Sequence, residues 1–284
     1  MINRLCMIGV GLIGGSLCRA LKAAGKVETI IGCGRNVAQL EKAVELGVID
    51  SFETDIATAI SDADVIVVAV PVGTMRAVFD SIKGNLKPGA VLTDVGSAKA
   101  SVVLAARESF GCDESFFVPG HPIAGTEKSG VEASFAELFN GQRVILTPLE
   151  STDPAATQVV HKMWQDAGAE VSALTVEHHD EVLAATSHLP HVIAYALVDT
   201  LARMHERREM FQFAAGGFRD FTRIASSDPQ MWHDICLANK DAVLDMIKRF
   251  STDLAELANA IENEDSETIK QTFSRAKQAR DQYC

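Results

Sequence analysis

The stretch from Gly120 to Gly130, GHPIAGTEKSG, holds the side chain best placed for proton chemistry. Glycines at 120, 125 and 130 free the backbone to turn, while Pro122 restricts its own φ and drives His121 toward an extended conformation. An imidazole on such a stiffened loop suits a general base, because a base displaced by about an ångström loses much of the benefit of proximity. Taken alone, the loop would equally suit a surface turn with a solvated histidine. A neutral imidazole is needed to accept a proton, so the expectation is activity that falls at acid pH with an ionisation near roughly 6.5 before environmental shifts. Two further groups invite chemistry. His188 and His191 in SHLPH share a helical face, as metal ligands would, but no carboxylate or cysteine set is spaced with them, and a substrate or structural role is favoured over a metal. In GGFRDFTR, Arg219 and Arg223 stand four apart after a glycine turn. Arg223 is a candidate receptor for an anionic substrate, or else a surface ion-pair partner of Asp220.

The elements that must position these groups start at the N-terminus. An apolar run from Leu5 to Val10 leads into Gly9-x-Gly11-x-x-Gly14 and then a helical pattern through Leu17, Ala20 and Leu21. Strand, tight turn and helix in that order read as a dinucleotide site. Gly9, Gly11 and Gly14 serve the turn, the approach to a pyrophosphate and the helix packing, with Leu12 and Ile13 at the helix start. A second β-type run, Val27 to Gly32, ends at Gly34-Arg35, where a NAD-type fold usually carries an acid for the ribose 2′-hydroxyl. Arg35 offers a positive fork for a 2′-phosphate, which leans the cofactor, NAD(P), toward NADP; the alternative is a solvated residue at a helix start.

Asp64 to Val70 is apolar on both faces and stops at Pro71, and Ala90 to Val95 ends at Gly96-Ser97. Ligands of doubly wound sheets lie beyond the carboxyl ends of the strands, so Val70, Pro71, Val72 and Ser97 should line a cofactor crevice, although Ser97 could also be a helix N-cap. Further strands are expected at 116–118, 143–149 and 169–174, with a helix over 154–167. Strand alternating with helix to about residue 173 argues an α/β Rossmann-like domain over 1–173, and the helical periodicity beyond it an all-α domain over 174–284. Pro190 should kink or restart a helix, and Asp228-Pro229 should cap one. Val243, Ile247, Phe250, Leu254, Leu257 and Ile261, spaced 4, 3, 4, 3, 4, form a packing seam within the chain or across a dimer.

The 284 residues carry a net charge of −12, which disfavours nucleic acid as a partner. With 47% hydrophobic residues there is material for two cores. Six cysteines without paired spacing suit free thiols, and with no leader or apolar run of spanning length read in the sequence the expectation is a cytoplasmic protein away from membranes.

Five motifs in order, GVGLIGGS at 9–16, DVGS at 94–97, GHPIAGTEKSG at 120–130, SHLPH at 187–191 and DFTRIA at 220–225 followed by DPQMW at 228–232, give the chain a resemblance over nearly its whole length. It resembles the prephenate and arogenate (cyclohexadienyl) dehydrogenases of tyrosine biosynthesis. The resemblance implies a Rossmann-like cofactor domain, a helical domain that forms a homodimer, and NAD(P)-dependent oxidative decarboxylation of prephenate, arogenate or both in the cleft between the domains. It further implies that His121 and Ser97 act on the substrate's ring hydroxyl, that Arg223 holds the side-chain carboxylate, and that Thr126, Glu127 and His188 line or gate the pocket. No metal is implied. Gly34-Arg35 departs from the NAD-using members. A β-hydroxyacid dehydrogenase or imine reductase would share the layout, and a non-catalytic dinucleotide sensor would share the glycine motif; carbon dioxide release from prephenate separates both from this reading.

Overall fold

The computed structural model describes residues 1–205 and 207–283. Among the described residues there are nine strands, β1 (Ile2–Ile8), β2 (Val27–Cys33), β3 (Ser51–Glu53), β4 (Val65–Val68), β5 (Val91–Asp94), β6 (Phe117–Val118), β7 (Gly120–Pro122), β8 (Arg143–Leu146) and β9 (Glu170–Ala173). The first six make one parallel sheet in the order β3-β2-β1-β4-β5-β6, which reverses direction at β1 and β4 as in a dinucleotide-binding fold. Along β1, Leu5 and Met7 enter one apolar cluster while Cys6 and Ile8 enter another; Val65 and Val67 of β4 divide from Ile66 and Val68 in the same way. Period-two alternation with both faces apolar is what a sheet covered by helices on both sides requires.

Those helices are α1 (Leu12–Ala23), α2 (Val37–Glu45), α3 (Ile56–Ile60), α4 (Met75–Ile82), α5 (Lys99–Phe110) and α6 (Pro154–Asp166). The expected strands at 143–149 and 169–174 are present, but they do not extend the large sheet. They form a second, three-stranded sheet with β7, in the order β7-β8-β9. The helical half begins with α7 (Val176–Leu183), followed by α8 (Leu189–Ala202), α9 (Arg207–Gln212), α10 (Gly216–Thr222), α11 (Pro229–Ala238), α12 (Lys240–Glu262) and α13 (Ser266–Tyr283).

Pro190 restarts a helix, as expected. Residues Ala184–His188 form a π-helical turn that leads directly into α8, with Pro190 in its first turn, where a missing N–H costs little. Asp228 caps α11 as expected, its side chain accepting from the Met231 N–H at 3.0 Å. Gly216 and Gly217 lie in the first turn of α10 rather than in a preceding turn.

Packing groups Met1–Lys240 into one compact unit and the residues from Asp241 onward into a second. In the second unit Leu254 and Ile261 of α12 and Phe273 of α13 are 54%, 58% and 57% exposed, so much of the apolar seam is uncovered in the single chain. No described helix is long and apolar enough to cross a membrane. Cys6, Cys18, Cys33, Cys112 and Cys236 are unpaired; Cys284 lies outside the described residues.

Candidate active site

His121 is not on a loop. It is the middle residue of β7, paired antiparallel with Ile145 of β8 and only 8% exposed. Ladder hydrogen bonds therefore supply the stiffness that glycine and proline spacing suggested, and Pro122 is tolerated because β7 is an edge strand. The residue before it is pinned from the large sheet. Gly120 donates its N–H to Asp94 Oδ1 at 3.2 Å, and its carbonyl accepts from Lys99 Nζ at 2.7 Å. Asp94 and Lys99 are themselves an ion pair with both side chains fully buried. Asp94 also accepts from the Gly96 N–H at 2.7 Å. Burial pushes the Lys99 ammonium below its usual range, and Asp94 opposes that shift.

The imidazole of His121 is approached from α7. Its Nδ1 lies 2.9 Å from Nε2 of His179, whose own Nδ1 lies 2.8 Å from Asp180 Oδ1. The Asp180 carboxylate accepts the N–H groups of Lys99 and Ala100 at 2.8 and 2.9 Å. It thus caps α5, whose N-cap residue Ala98 provides no side-chain cap. Ser97 is therefore not the N-cap of that helix. Its side chain is half-buried just beyond the end of β5 and takes part in no hydrogen bond among the described residues.

Asn239 ties the helical half together, donating Nδ2 to the Asp180 carbonyl at 2.8 Å and facing His188 Nδ1 at 3.2 Å. His188 is wholly buried, and its Nε2 has no hydrogen-bond partner. Burial pulls its pKa down to about 4, with His179 and His191 adding to that and Asp180 and the nearby Ser97 backbone opposing it. His191 stacks on Trp232 with ring centroids 3.6 Å apart and hydrogen-bonds the Ser187 carbonyl at 2.9 Å. The His121 pKa is held well below the usual histidine value by burial first, then by His179, Lys99 and His188. The environment thus shifts the ionisation downward from the unperturbed value, and His121 is neutral across a wider pH range.

At the glycine motif the three glycines do three different things. Gly9 has φ +95°, and a Cβ there would collide with the Ala69 carbonyl oxygen. A Cβ at Gly14 would strike the Gly9 carbonyl oxygen and the Met7 sulfur, the latter at 2.8 Å, so helix and strand meet there. Gly11 has nothing within 4 Å of its would-be Cβ and is the N-cap of α1, without a side chain to satisfy the first N–H groups. Free N–H groups at a helix start facing open space, with Leu12 and Ile13 packed behind them, fit a pyrophosphate. Val70 and Pro71 follow the end of β4 beside this turn.

Beyond β2, Gly34 leaves open space, its would-be Cβ meeting only Leu40 at 3.7 Å or more. Arg35 is exposed and makes no hydrogen bond or ion pair among the described residues. The neighbouring acids are Glu53, opposite Cys33 in the ladder, and Asp55, whose carboxylate caps α3 through Thr58 at 2.8 Å.

Thr126 and Glu127 are exposed on the segment after β7, and Thr126 Oγ1 accepts from the Lys128 N–H at 3.2 Å. Arg223, in the short 3-10 turn after α10, pairs with Glu127 at 3.4 Å rather than with Asp220. Both partners are well exposed, so the pair contributes little to stability. The structure thus gathers His121 and His188 with His179, Asp180, Lys99, Asp94 and Asn239, and separately joins Arg223 to Glu127. The additional residues carried a faint signal: Val176, His179, Asp180 and Leu183 fall on one face of α7, so an imidazole and a carboxylate occupy its apolar stripe.

The comparisons agree with this architecture. Residues 17–173 match the nucleotide-binding domain of prephenate dehydrogenase, and residues 175–275 match its dimerization domain. A cyclohexadienyl dehydrogenase of Zymomonas mobilis is 36% identical, covering 99% of this chain and 96% of its own. The crystal structure of prephenate dehydrogenase from A. aeolicus in complex with hydroxyphenyl propionate and NAD+ superposes with a TM-score of 0.93 at 39% identity, covering 100% of this chain and 99% of that one. Synechocystis arogenate dehydrogenase gives 0.83 at 27% identity, covering 99% and 100%. With both domains matched in order and relatives this close along the full chain, the protein belongs to the prephenate dehydrogenase family of NAD(P)-dependent oxidoreductases.

Proposed function

We propose that His121 takes the ring-hydroxyl proton in this family's oxidative decarboxylation, with prephenate, arogenate or both as substrate. The observation that carries this reading is an imidazole held at Nδ1 on a paired strand while its Nε2 has no protein partner. The bound nicotinamide supplies the hydride acceptor. Neutral His121 accepts the hydroxyl proton, the ring carboxylate departs as carbon dioxide, the ring becomes aromatic, and the proton returns to the ring oxygen, giving 4-hydroxyphenylpyruvate or tyrosine. Aromatisation provides the driving force, so the chain's task is chiefly orientation. Ser97, with its hydroxyl uncommitted, helps orient the ring oxygen. His188, neutral and with a buried Nε2 lacking a partner, lines the pocket. Carbon dioxide release coupled to reduced cofactor, assayed with prephenate and with arogenate, tests the reading. Turnover of neither substrate by folded enzyme would overturn it.

Arg223 is the receptor for the substrate's side-chain carboxylate, and Glu127, its partner in the free enzyme, gates it beside Thr126. Arg223→Ala should raise KM strongly with a smaller change in kcat, the pattern of lost uniform binding. An unchanged KM in steady-state assays would return the arginine to a surface role.

The cofactor preference leans to NADP. The support is Arg35, exposed and uncommitted beside the open Gly34. A charge-assisted contact to a 2′-phosphate is worth about 1.5 to 3 kcal/mol, roughly ten- to a hundredfold in affinity. Arg35→Ala should lower the NADP-to-NAD ratio of kcat/KM by that order, whereas an unmoved ratio would dismiss the contact.

The functional division falls between 1–173 and 174–284, supported by the end of β9 at Ala173 and the helical run from α7 onward. The protein assembles as a homodimer through the helical part, a reading supported by the uncovered apolar side chains of α12 and α13 and by the match to the family's dimerization domain. Sedimentation at micromolar concentration should give twice the chain mass; a fully active monomer would oppose it. The unpaired thiols support a cytoplasmic setting.

A further inference from the structure

We propose that His179 and Asp180 are positioning residues that hold His121 in its Nδ1–H tautomer and receive the positive charge created when His121 takes the substrate's proton. The inference rests on His121 being the base. Asp180 accepts two N–H bonds at the start of α5, so it is fixed in place, and at 5% exposure it is shielded from water. Burial alone would raise its pKa, but the hydrogen bonds from His179, Lys99 and Ala100 outweigh burial and keep it ionised.

An ionised carboxylate only accepts, so the His179 nitrogen 2.8 Å from it carries the proton. With its single proton on Nδ1, His179 has a bare Nε2, and that nitrogen lies 2.9 Å from His121 Nδ1. His121 must therefore donate from Nδ1, which leaves the lone pair of its Nε2 as the open acceptor. The opposite assignment would set a bare His179 nitrogen against a carboxylate.

The proton balance follows the same line. The substrate O–H bond breaks and an N–H bond forms at His121 Nε2. The Nδ1 proton of His121 passes to His179 Nε2, while His179 keeps its Nδ1–H on Asp180. One proton has entered, and the resulting imidazolium is the one next to a carboxylate rather than the one facing Lys99 and His188. His121 by itself has no anion in contact, and the nearby Lys99 ammonium repels a proton. The pair offsets that repulsion only after a proton has been transferred, when the offset speeds the reaction.

Two substitutions separate the roles. In His179→Leu nothing accepts from His121 Nδ1, so kcat should fall by about a hundredfold or more, with KM for substrate and cofactor changed by no more than about threefold. In His179→Gln the amide oxygen can accept that N–H and preserve the tautomer, so at least about tenfold of the loss should return. Leu and Gln variants of equal activity, or a Leu variant within about threefold of the parent kcat, would overturn the proposal. Because His179 is wholly buried, Asp180→Asn provides a second route if neither variant folds. The substitution removes the negative charge in either amide orientation, and with its N–H₂ toward His179 it also inverts the tautomers; both effects slow the step. Folded Asp180→Asn with parent kcat would overturn the proposal as well. His121→Asn assayed in the same series keeps the two ideas distinct: if that variant stays active the base lies elsewhere, whereas an inactive His121→Asn beside an active His179→Leu defeats this inference alone.

Discussion

A His121→Asn variant is expected to lose about 10² to 10⁴ in kcat, the usual worth of a positioned general base, while its affinity for the cofactor stays near that of the parent. Asparagine preserves a polar side chain of similar reach on β7 but offers no basic nitrogen. The pH profile sharpens the test. Burial, with His179, Lys99 and His188 adding to it, holds the folded-state pKa of His121 well below the unfolded value of roughly 6.5. The neutral, active form therefore persists as pH falls through 6.5, and the acid limb of kcat/KM should lie lower than that unperturbed value. In the variant that limb should vanish. A parent-like rate, or an unmoved limb in a folded variant, would transfer the role to His188. The same depression links folding to pH: the unfolded chain binds a proton near 6.5 while the native imidazole refuses it, so stability present above that pH is lost as pH drops toward the folded pKa. His188, with a folded-state value of about 4, acts with the same sign between those two values.

The second large effect concerns Lys99. Replacing it with methionine keeps most of the volume but leaves Asp94 as a buried carboxylate without its cation and the Gly120 carbonyl without its donor. Breaking one side of a buried ion pair typically costs about 3 to 5 kcal/mol. At roughly 2 to 4 °C per kcal/mol for a chain of this class, Tm should fall by about 10 °C. The loss belongs to the single substitution and differs from the net value of the pair, since burying both charges was itself costly. Thermal unfolding of Lys99→Met within a degree or two of the parent would mean that the pair is solvated in solution. Residual activity should fall further than stability alone requires, because β7 loses one of the two hydrogen bonds that fix Gly120 beside His121.

The sequence made the parallel sheet readable because its central strands are apolar on both faces, a pattern few other structures need. β1, β2, β4 and β5 each fall within a few residues of where the apolar runs place them. β7 was harder to read: three residues containing a glycine and a proline look like a turn, and only the pairing with β8 reveals a strand. The second sheet followed from the same gap, since strand content does not say which strands pair. His121 was found because glycine and proline mark it, and His188 because a proline follows. His179 and Asp180 escaped notice inside EHHDE, where a charged run reads as a solvated face although its apolar neighbours at 176 and 183 put those two residues inward. Lys99 was unreadable for a different reason: a buried lysine is rare, and its partners Asp94 and Gly120 meet it only through tertiary contacts.

The cap that Asp180 places on α5 spans 81 residues of chain. During synthesis the large sheet and α5 are complete before α7 leaves the ribosome, so a nascent chain can own its nucleotide fold while two amides at the start of α5 still face water and His121 still lacks its neighbour. The proton-handling centre therefore cannot be complete until α7 has been made and has packed against α5. A refolding enzyme should regain its backbone signature before it regains turnover, with the interval reporting the docking of α7.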